Sequence, residues 1–187
     1  MNLRERLRHE TQMLHEQVEA ECNVLRPGFH RHDYIHLLGK LHGWLAAVEP
    51  VLATALPPPF QAAFTSRHRA DALMADMRYF GVEASSLEIM PWNATNIDEL
   101  TALGAMYVVD GSALGGQVIL KHLSPTLDIS PTAGGRYFSG DGQDVRAQFK
   151  TFCAQLDAFD DPQSADRIMS GAKETFARLL VWMQQRD

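Results

Sequence analysis

Three glycines inside one apolar stretch constrain this chain more than any other feature of its sequence. The stretch covers residues 107–122 and reads Tyr-Val-Val-Asp-Gly-Ser-Ala-Leu-Gly-Gly-Gln-Val-Ile-Leu-Lys-His, with apolar spacing typical of a helix. Each glycine in a helix interior costs about 1 kcal/mol relative to alanine, so Gly111, Gly115 and Gly116 need a reason. Gly111 and Gly115 lie one turn apart on one face. That face predicts either close helix–helix packing or close approach of a flat ligand, and it allows a bend.

The N-terminal segment contains the second informative pattern. Apolar residues recur every three or four positions, which predicts a long amphipathic helix over residues 3–25. His15 lies beside the apolar stripe, nearly two turns after Arg8, with Thr11 one turn before it and Glu19 one turn after it. The Glu19 carboxylate can accept the proton of one ring nitrogen of His15 and leave the other for a metal ion. The alternative is a pair of solvated side chains.

The rest of the chain also has helical spacing, and no segment alternates like a β-strand. Further helices are predicted over residues 32–55, 60–80, 97–123, 142–159 and from 162 almost to the C-terminus. Asn96, followed by Glu99, predicts the N-cap of the glycine-bearing helix. Pro50 predicts a kink or an end in the second helix, and Pro125 predicts the end of the glycine-bearing helix. We therefore predict an all-α fold of six or more helices, with residues 1–187 as a single domain.

Composition restricts the class of function. The net charge of −6 argues against a nucleic-acid partner. The chain is 45% hydrophobic and 21% charged, and no uninterrupted apolar run approaches the ~20 residues of a membrane span. The N-terminus is charged without an apolar signal core, and two cysteines do not make a disulfide framework. These features predict a cytoplasmic protein without a membrane span.

Several other metal and catalytic motifs are missing from the sequence. A carboxylate di-iron bundle needs two Glu-x-x-His pairs, whereas the chain offers only Asp33-x-x-His36, which we interpret as a helix start. No two-histidine zinc motif is present, and Gly-Ser-Ala-Leu-Gly-Gly matches neither a phosphate-binding loop nor a nucleophile elbow. Cys22 and Cys153 fall at apolar helix positions, which predicts buried and unreactive thiols.

One histidine ligand, a glycine-lined helix and scattered cations together suggest a haem held between two helices. The segments Leu7-Arg-x-x-Thr-x-x-x-His-x-x-x-Glu19 and Tyr107-Val-Val-Asp-Gly-Ser-Ala-Leu-Gly-Gly-Gln117 resemble the proximal and distal helix motifs of the haem oxygenases. Phe149-x-x-Phe152, after Tyr137-Phe138 and Gly140, resembles the aromatic segment that follows in bacterial members. The variant Gly-Ser-x-Leu-Gly-Gly is similar to that of the members associated with bacteriophytochromes. The resemblance covers nearly the whole chain.

The resemblance implies a role for each matching residue. His15 would be the axial ligand of the haem iron, kept neutral and oriented by Glu19. Arg8 would meet one haem propionate, and either Lys150 or Arg146 would meet the other. A solvated helix face is the alternative for Arg146 and Lys150, and ordinary packing is the alternative for Tyr107. The residues implied to contact the haem are Arg8, Thr11, Glu19, Tyr107, Arg146, Phe149 and Lys150.

On the distal side, the resemblance places the three glycines over the porphyrin. Gly111, Gly115 and Gly116 would let bound oxygen bend onto a ring carbon, while Ser112 and ordered water would supply a proton. Other branches of the family carry aspartate at the position of Ser112. Asp110 lies about 200° further round the helix, so we do not expect it to replace that aspartate.

The implied activity is oxidative cleavage of haem, as substrate and cofactor, to biliverdin, carbon monoxide and ferrous iron. Electrons would come from a ferredoxin or a flavin reductase, for which residues 67–69 (Arg-His-Arg) form a candidate docking patch or else a solvated helix face. A bacteriophytochrome would accept the biliverdin. Two alternatives remain at this point: a non-catalytic haem storage or trafficking protein, and a thiamin-degrading enzyme of the same fold that would need a reactive cysteine such as Cys153.

Overall fold

The computed structural model describes residues 2–67, 69–92 and 97–185, and within these ranges the prediction of an all-α fold is confirmed. Apart from isolated bridges that join Ser130 to residues 133 and 134, the described ranges contain no β-structure. The α-helices of the described chain are α1 Leu3–Cys22, α2 Arg31–Ala55, α3 Pro58–Thr65, α4 Arg69–Tyr79, α5 Glu99–Ser112, α6 Gly116–Leu127, α7 Arg136–Ser139, α8 Val145–Leu156 and α9 Pro162–Gln184.

The C-terminal helix α9 is the element on which the fold is assembled, because both α1 and α5 pack along it. The crossing of α5 and α9 is unusually close. A Cβ atom added to Gly104 would overlap the carbonyl oxygen of Ile168, and one added to Gly171 would overlap the carbonyl oxygen of Thr101. The two backbones therefore touch directly, and α9 fixes α1 and α5 relative to each other.

Helix α1 begins and ends at asparagine residues. The Glu5 N–H donates to Asn2 Oδ1 at 2.9 Å, and the Asn2 N–H donates to Glu5 Oε2 at 3.0 Å, which is a capping box. Asn23 adopts a left-handed conformation with φ 40°. The helix therefore stops at Cys22, three residues before the predicted end, because a left-handed residue cannot continue a right-handed helix.

The glycine-bearing segment consists of two helices rather than the single predicted helix over residues 97–123. Helix α5 ends at Ser112, and α6 begins at Gly116 after a turn through residues 113–115. This turn is the bend that the glycines permit. Helix α6 continues past Pro125 as far as Leu127, so the predicted end at that proline is wrong.

The other helix boundaries differ from prediction in ways that have local causes. The N-cap of α5 is Asp98, whose carboxylate accepts from the N–H groups of residues 100 and 101, while the predicted cap Asn96 lies outside the described residues. Pro50 lies inside α2, which runs on to Ala55. The predicted helix over residues 60–80 is divided into α3 and α4, and the one over 142–159 is shortened to α8.

One described stretch is long and apolar enough to cross a membrane by length and composition, namely Glu99–Leu127, which α5 and α6 occupy. It contains no uninterrupted apolar run of that length, so the sequence did not single it out. Half of its most apolar window is buried inside the fold. The core helices of water-soluble proteins pass the same test, so this is weak evidence for a span.

Candidate active site

His15 of α1 lies at the edge of the core, where its ring contacts the ring of Phe176 in α9. Leu3, Leu7 and Thr11 are buried, whereas the side chain of His15 is 49% exposed. The Nδ1 atom of His15 lies 3.6 Å from the Glu19 carboxylate, as the i,i+4 spacing predicts. This distance is too long for a hydrogen bond, but it places the carboxylate beside Nδ1 rather than beside Nε2.

Tyr107 of α5 lies near several of the predicted α1 residues. Burial raises the pKa of Tyr107, and the Arg4 and Arg8 guanidinium groups and the Thr11 hydroxyl lower it. Thr11 donates its own hydrogen to the Leu7 carbonyl at 2.7 Å. The structure therefore brings Arg8, Thr11 and Tyr107 together. It adds Arg4, which the sequence analysis missed although it lies one turn before Arg8 on the same face.

The three glycines of the distal segment have different surroundings. A Cβ atom added to Gly115 would meet nothing within 4 Å, and one added to Gly111 would meet only the ring of Phe149, at 3.7 Å. A Cβ atom on Gly116 would instead run into the backbone of Phe138 in α7. Helix packing is therefore sufficient to explain Gly116. It does not explain Gly111 and Gly115, which form an open glycine face.

Helix α8 supplies an aromatic wall beside this face and two cations. The Phe149 ring lies 5.6 Å from the ring of Tyr107, measured between centroids. Arg146 and Lys150 are both exposed, one turn apart, and within the described ranges neither has a carboxylate within ion-pair distance. The wall and the cations suit a flat aromatic ligand that carries carboxylates.

Asp110 is buried between two arginine side chains. Its carboxylate is 1% exposed and accepts from the guanidinium groups of Arg67 and Arg69, the latter at 2.8 Å. The side chains of Arg67 and Arg69 are only 7% and 9% exposed. Both interpretations of this segment, as a docking patch and as a solvated face, are therefore wrong for the two arginines, and His68 lies outside the described residues.

Ser112 has a second hydroxyl beside it that the sequence analysis did not identify. The Ser112 hydroxyl donates to the Val109 carbonyl at 2.8 Å. It also lies close enough to Tyr137 to lower that residue's pKa, although burial raises this pKa more strongly. The Asp76 carboxylate holds Tyr137 in place by accepting the N–H groups of Arg136 and Tyr137, both at 2.9 Å.

The thiols in the structure are unreactive in the way that the sequence predicts. Burial raises the pKa of Cys22 and of Cys153 to about 11, so both are neutral near pH 7. Cys153 is buried and Cys22 is partly buried. Across the described ranges, no three His, Cys, Asp or Glu residues are grouped so as to hold a metal ion.

The fold is all-α in the described ranges. The site combines an imidazole beside a carboxylate on α1 with an open glycine face on the segment of α5 and the turn after it. Comparison with known protein families identifies the family. The family model described as "Heme oxygenase" matches residues 1–185, so the chain belongs to the haem oxygenase family. It is accordingly a haem-degrading oxidoreductase.

Solved structures agree with this assignment at the level of the fold. The haem oxygenase of Neisseria meningitidis, solved with NO and CO bound, has a TM-score of 0.81 and 22% identity, covering 98% of this chain and 91% of that one. Haem oxygenase-1 of the cyanobacterium Synechocystis sp. PCC6803, solved with haem, has a TM-score of 0.72 and 20% identity, with the same coverage. The search of curated proteins finds no match.

Proposed function

We propose that the protein binds haem through His15 and opens the ring to biliverdin, carbon monoxide and ferrous iron. The observation that carries the proposal is the combination of the His15–Glu19 pair with the open glycine face at Gly111 and Gly115. Bound haem supplies the iron that activates dioxygen and the ring carbon that is oxidised. The side chains named below orient the haem and control the proton supply.

On the proximal side, Glu19 orients the imidazole of His15. A carboxylate that accepts the Nδ1 proton fixes the tautomer in which Nε2 is unprotonated and free to bind iron. The Glu19 side chain is 68% exposed, so its charge is screened by solvent. Its contribution is therefore mainly to the orientation and basicity of the ring.

The cations around the site match the two propionates of haem. Arg8 approaches from α1, and Arg146 and Lys150 approach from α8, so the site offers cations on two separate helices. A guanidinium group can hold a carboxylate with two parallel hydrogen bonds, while an ammonium group acts as a point charge. Arg4, beside Tyr107 and Arg8, is a further candidate for the same contact.

On the distal side, the glycine face leaves space where a side chain would otherwise stand. A strongly acidic or bulky group there would favour cleavage of the oxygen–oxygen bond over attack on the ring. Ser112 instead offers a neutral hydroxyl that can hold a proton and hydrogen-bond to ordered water. Asp110 has no part in this proposal, since both of its oxygens are bound to arginine.

Electrons come, in this proposal, from a ferredoxin or a flavin reductase in the cytoplasm. The Gly-Ser-x-Leu-Gly-Gly segment supports supply of biliverdin to a bacteriophytochrome, because it resembles that of the members with this role. The residues that dock the electron donor are unassigned, because the side chains of Arg67 and Arg69 are buried.

The second candidate function is haem storage without turnover, and the serine at position 112 is the feature that favours it. A thiamin-degrading activity has less support, because the thiol of Cys153 is buried and neutral. Adding haemin and recording the absorption spectrum separates the two haem-binding functions from the third. It does not separate the first two from each other.

Turnover is the decisive experiment. Haem-loaded protein is given dioxygen and a reductant in the presence of catalase, which removes free peroxide that would degrade haem without the enzyme. Loss of the Soret band with release of biliverdin, identified by chromatography, is the expected result. A stable oxygen complex that only autoxidises, with no bile pigment, would support storage instead.

A further inference from the structure

The hydroxyl of Tyr137 is buried and has no hydrogen-bond partner among the described residues. Tyr137 as a whole is 6% exposed. A buried hydroxyl without a partner is costly, and such groups are usually bonded to an ordered water. The surroundings of Tyr137 contain space for one.

A small, partly open space of about 20 Å³ lies against Tyr137. About 10–15 Å³ is enough for one water molecule, provided that polar groups surround it. The polar side chains that line this space are those of Arg67, Arg69, Tyr137, Asp141, Gln143 and Gln148. A single water is therefore well accommodated, and we name this space the Tyr137 cavity.

On the inner side, Tyr137 adjoins Ser112. The hydrogen of the Ser112 hydroxyl is directed to the Val109 carbonyl, so the lone pairs of the Ser112 oxygen remain available to accept another. Tyr137 is the neighbouring donor, and Ser112 is close enough to lower its pKa. The two hydroxyls do not form a hydrogen bond in this structure.

On the outer side, the Tyr137 cavity is bounded by polar groups that reach the surface. The Gln148 amide donates to the Gln143 side-chain oxygen, and the Gln143 amide donates to the Ser66 carbonyl at 3.4 Å. Asp141 is exposed and forms an ion pair with Arg136 at 3.0 Å. A water in the cavity thus stands between the Tyr137 hydroxyl and solvent-exposed polar side chains.

The charges around Tyr137 keep it a neutral hydroxyl. Burial raises its pKa, and the Ser112 hydroxyl and the Arg69 guanidinium lower it by less. The titratable and charged groups that surround it from the packed elements are Cys22, Glu49, Arg67, Arg69, Asp76 and Asp141, and Asp110 is bound to the two arginines. Tyr137 can therefore both donate and accept a proton without becoming charged for long.

We propose that Tyr137 is a positioning residue for the distal proton supply: it passes a proton from a water in the Tyr137 cavity to the hydroxyl of Ser112. The transfer is balanced, because Ser112 releases one proton towards the open glycine face, Tyr137 replaces it, and the water replaces the proton of Tyr137. The water is restored from solvent. This inference rests on the proposed function, which requires protons at the distal side.

Tyr137→Phe removes the hydroxyl and keeps the ring. Haem affinity and thermal stability are expected to be unchanged, while the rate of biliverdin formation falls by on the order of tenfold or more, as for loss of an acid–base group. The loss should be partly recovered at lower pH, where bulk solvent supplies protons. A purely structural role would lower the rate equally at every pH, and an unchanged rate would overturn the proposal.

Tyr34→Phe is the matched control. Its hydroxyl is also buried, but it donates to the Gly134 carbonyl at 2.7 Å, next to α7 and away from the Tyr137 cavity. This variant should lose thermal stability and keep the rate and its pH profile. If it changed the pH profile in the same way as Tyr137→Phe, the effect would belong to the packing of α7 and the proposal would fail.

A measurement independent of turnover examines the water itself. A high-resolution crystal structure of the haem-free protein should show one water within hydrogen-bond distance of the Tyr137 hydroxyl, and Gln148→Leu should remove it. An empty cavity in the unsubstituted protein would overturn the proposal. Absence of ring opening in the unsubstituted protein would overturn the proposed function, which is a different outcome from a Tyr137→Phe variant that works normally.

Discussion

The imidazole of His15 packs edge to face on the ring of Phe176, with ring centroids 5.8 Å apart and planes 85° to each other. Phe176 is buried in α9, whereas Glu19, the other neighbour of the imidazole, is exposed. The histidine ring thus contacts one buried ring of the core and lies beside one solvated carboxylate. The two neighbours can be removed separately by substitution.

His15→Ala is expected to abolish the spectrum of imidazole-ligated haem. The reason is that His15 is the histidine whose Nδ1 has an orienting carboxylate on the helix face that the resemblance assigns to the haem. Absorption and resonance Raman spectra of the haem complex measure the ligation. An unchanged spectrum would mean that another histidine binds the iron, with His36, His42 and His122 as the candidates.

Glu19→Gln and Phe176→Leu should affect different quantities. Glu19→Gln is expected to weaken haem affinity about 10–100-fold with little change in stability, because it alters only the partner of the ligand. Phe176→Leu removes buried volume and should lower the free energy of unfolding by about 1–2 kcal/mol. Haemin titration and thermal unfolding of both variants measure the contrast. A large stability loss in Glu19→Gln would show that Glu19 has a structural role.

Gly115→Leu should separate ligand binding from helix packing. A Cβ atom at position 115 would meet nothing within 4 Å, and the φ of −79° there suits leucine, so stability should stay the same or rise by up to about 1 kcal/mol. Haem or oxygen binding should be strongly reduced, because the side chain occupies the open glycine face. Gly116→Leu is the control, since it collides with the backbone of Phe138 and should destabilise the protein. Normal binding in a stable Gly115→Leu protein would contradict the site.

The largely buried carboxyl of Glu49 should make the stability of the protein depend on pH. Burial raises the pKa of Glu49 from 4.5 to about 7, so the folded protein favours the protonated carboxyl. The stabilisation of the fold that comes from this raised pKa is fully present below pH 4.5 and is lost as the pH rises through about 7. Glu49→Gln should therefore be nearly neutral at low pH and stabilising by up to about 3 kcal/mol above pH 8, where the unsubstituted carboxylate is charged. Denaturant unfolding at several pH values measures this, and a pH-independent difference would refute it.

The parts of the site that lie within one helix were predictable from the sequence, because spacing alone places them. His15 and Glu19 are separated by one turn of α1, and any straight helix brings them together. The glycines allowed a bend near Gly115, but the prediction was a single helix over residues 97–123. The ends of α1 and α6 were missed, because Asn23 and Asp128 adopt left-handed conformations that are commoner for glycine.

Contacts between segments that are far apart in the sequence could not be predicted from residue spacing. Arg67 and Arg69 have the composition of a solvated face, and only the fold reveals that the buried Asp110 carboxylate lies between them. Tyr137 lies beside Ser112 because Asp76, about sixty residues earlier, fixes the start of α7. Nothing local to Tyr137 in the sequence indicates this partner.

The crossing at Gly104 and Gly171 has a consequence for how such chains can vary. A side chain at either position would push α5 away from α9, and the gap opened by the first would accommodate the second. The stability losses of Gly104→Ala and Gly171→Ala should therefore be smaller together than the sum of the two single losses, as denaturant unfolding can measure. The two positions limit the same helix–helix distance. We therefore expect related chains to have small residues at both positions or larger residues at both. A change at one alone would alter the separation of α5 and α9, and under the proposed function it would change the space for haem between His15 and the open glycine face.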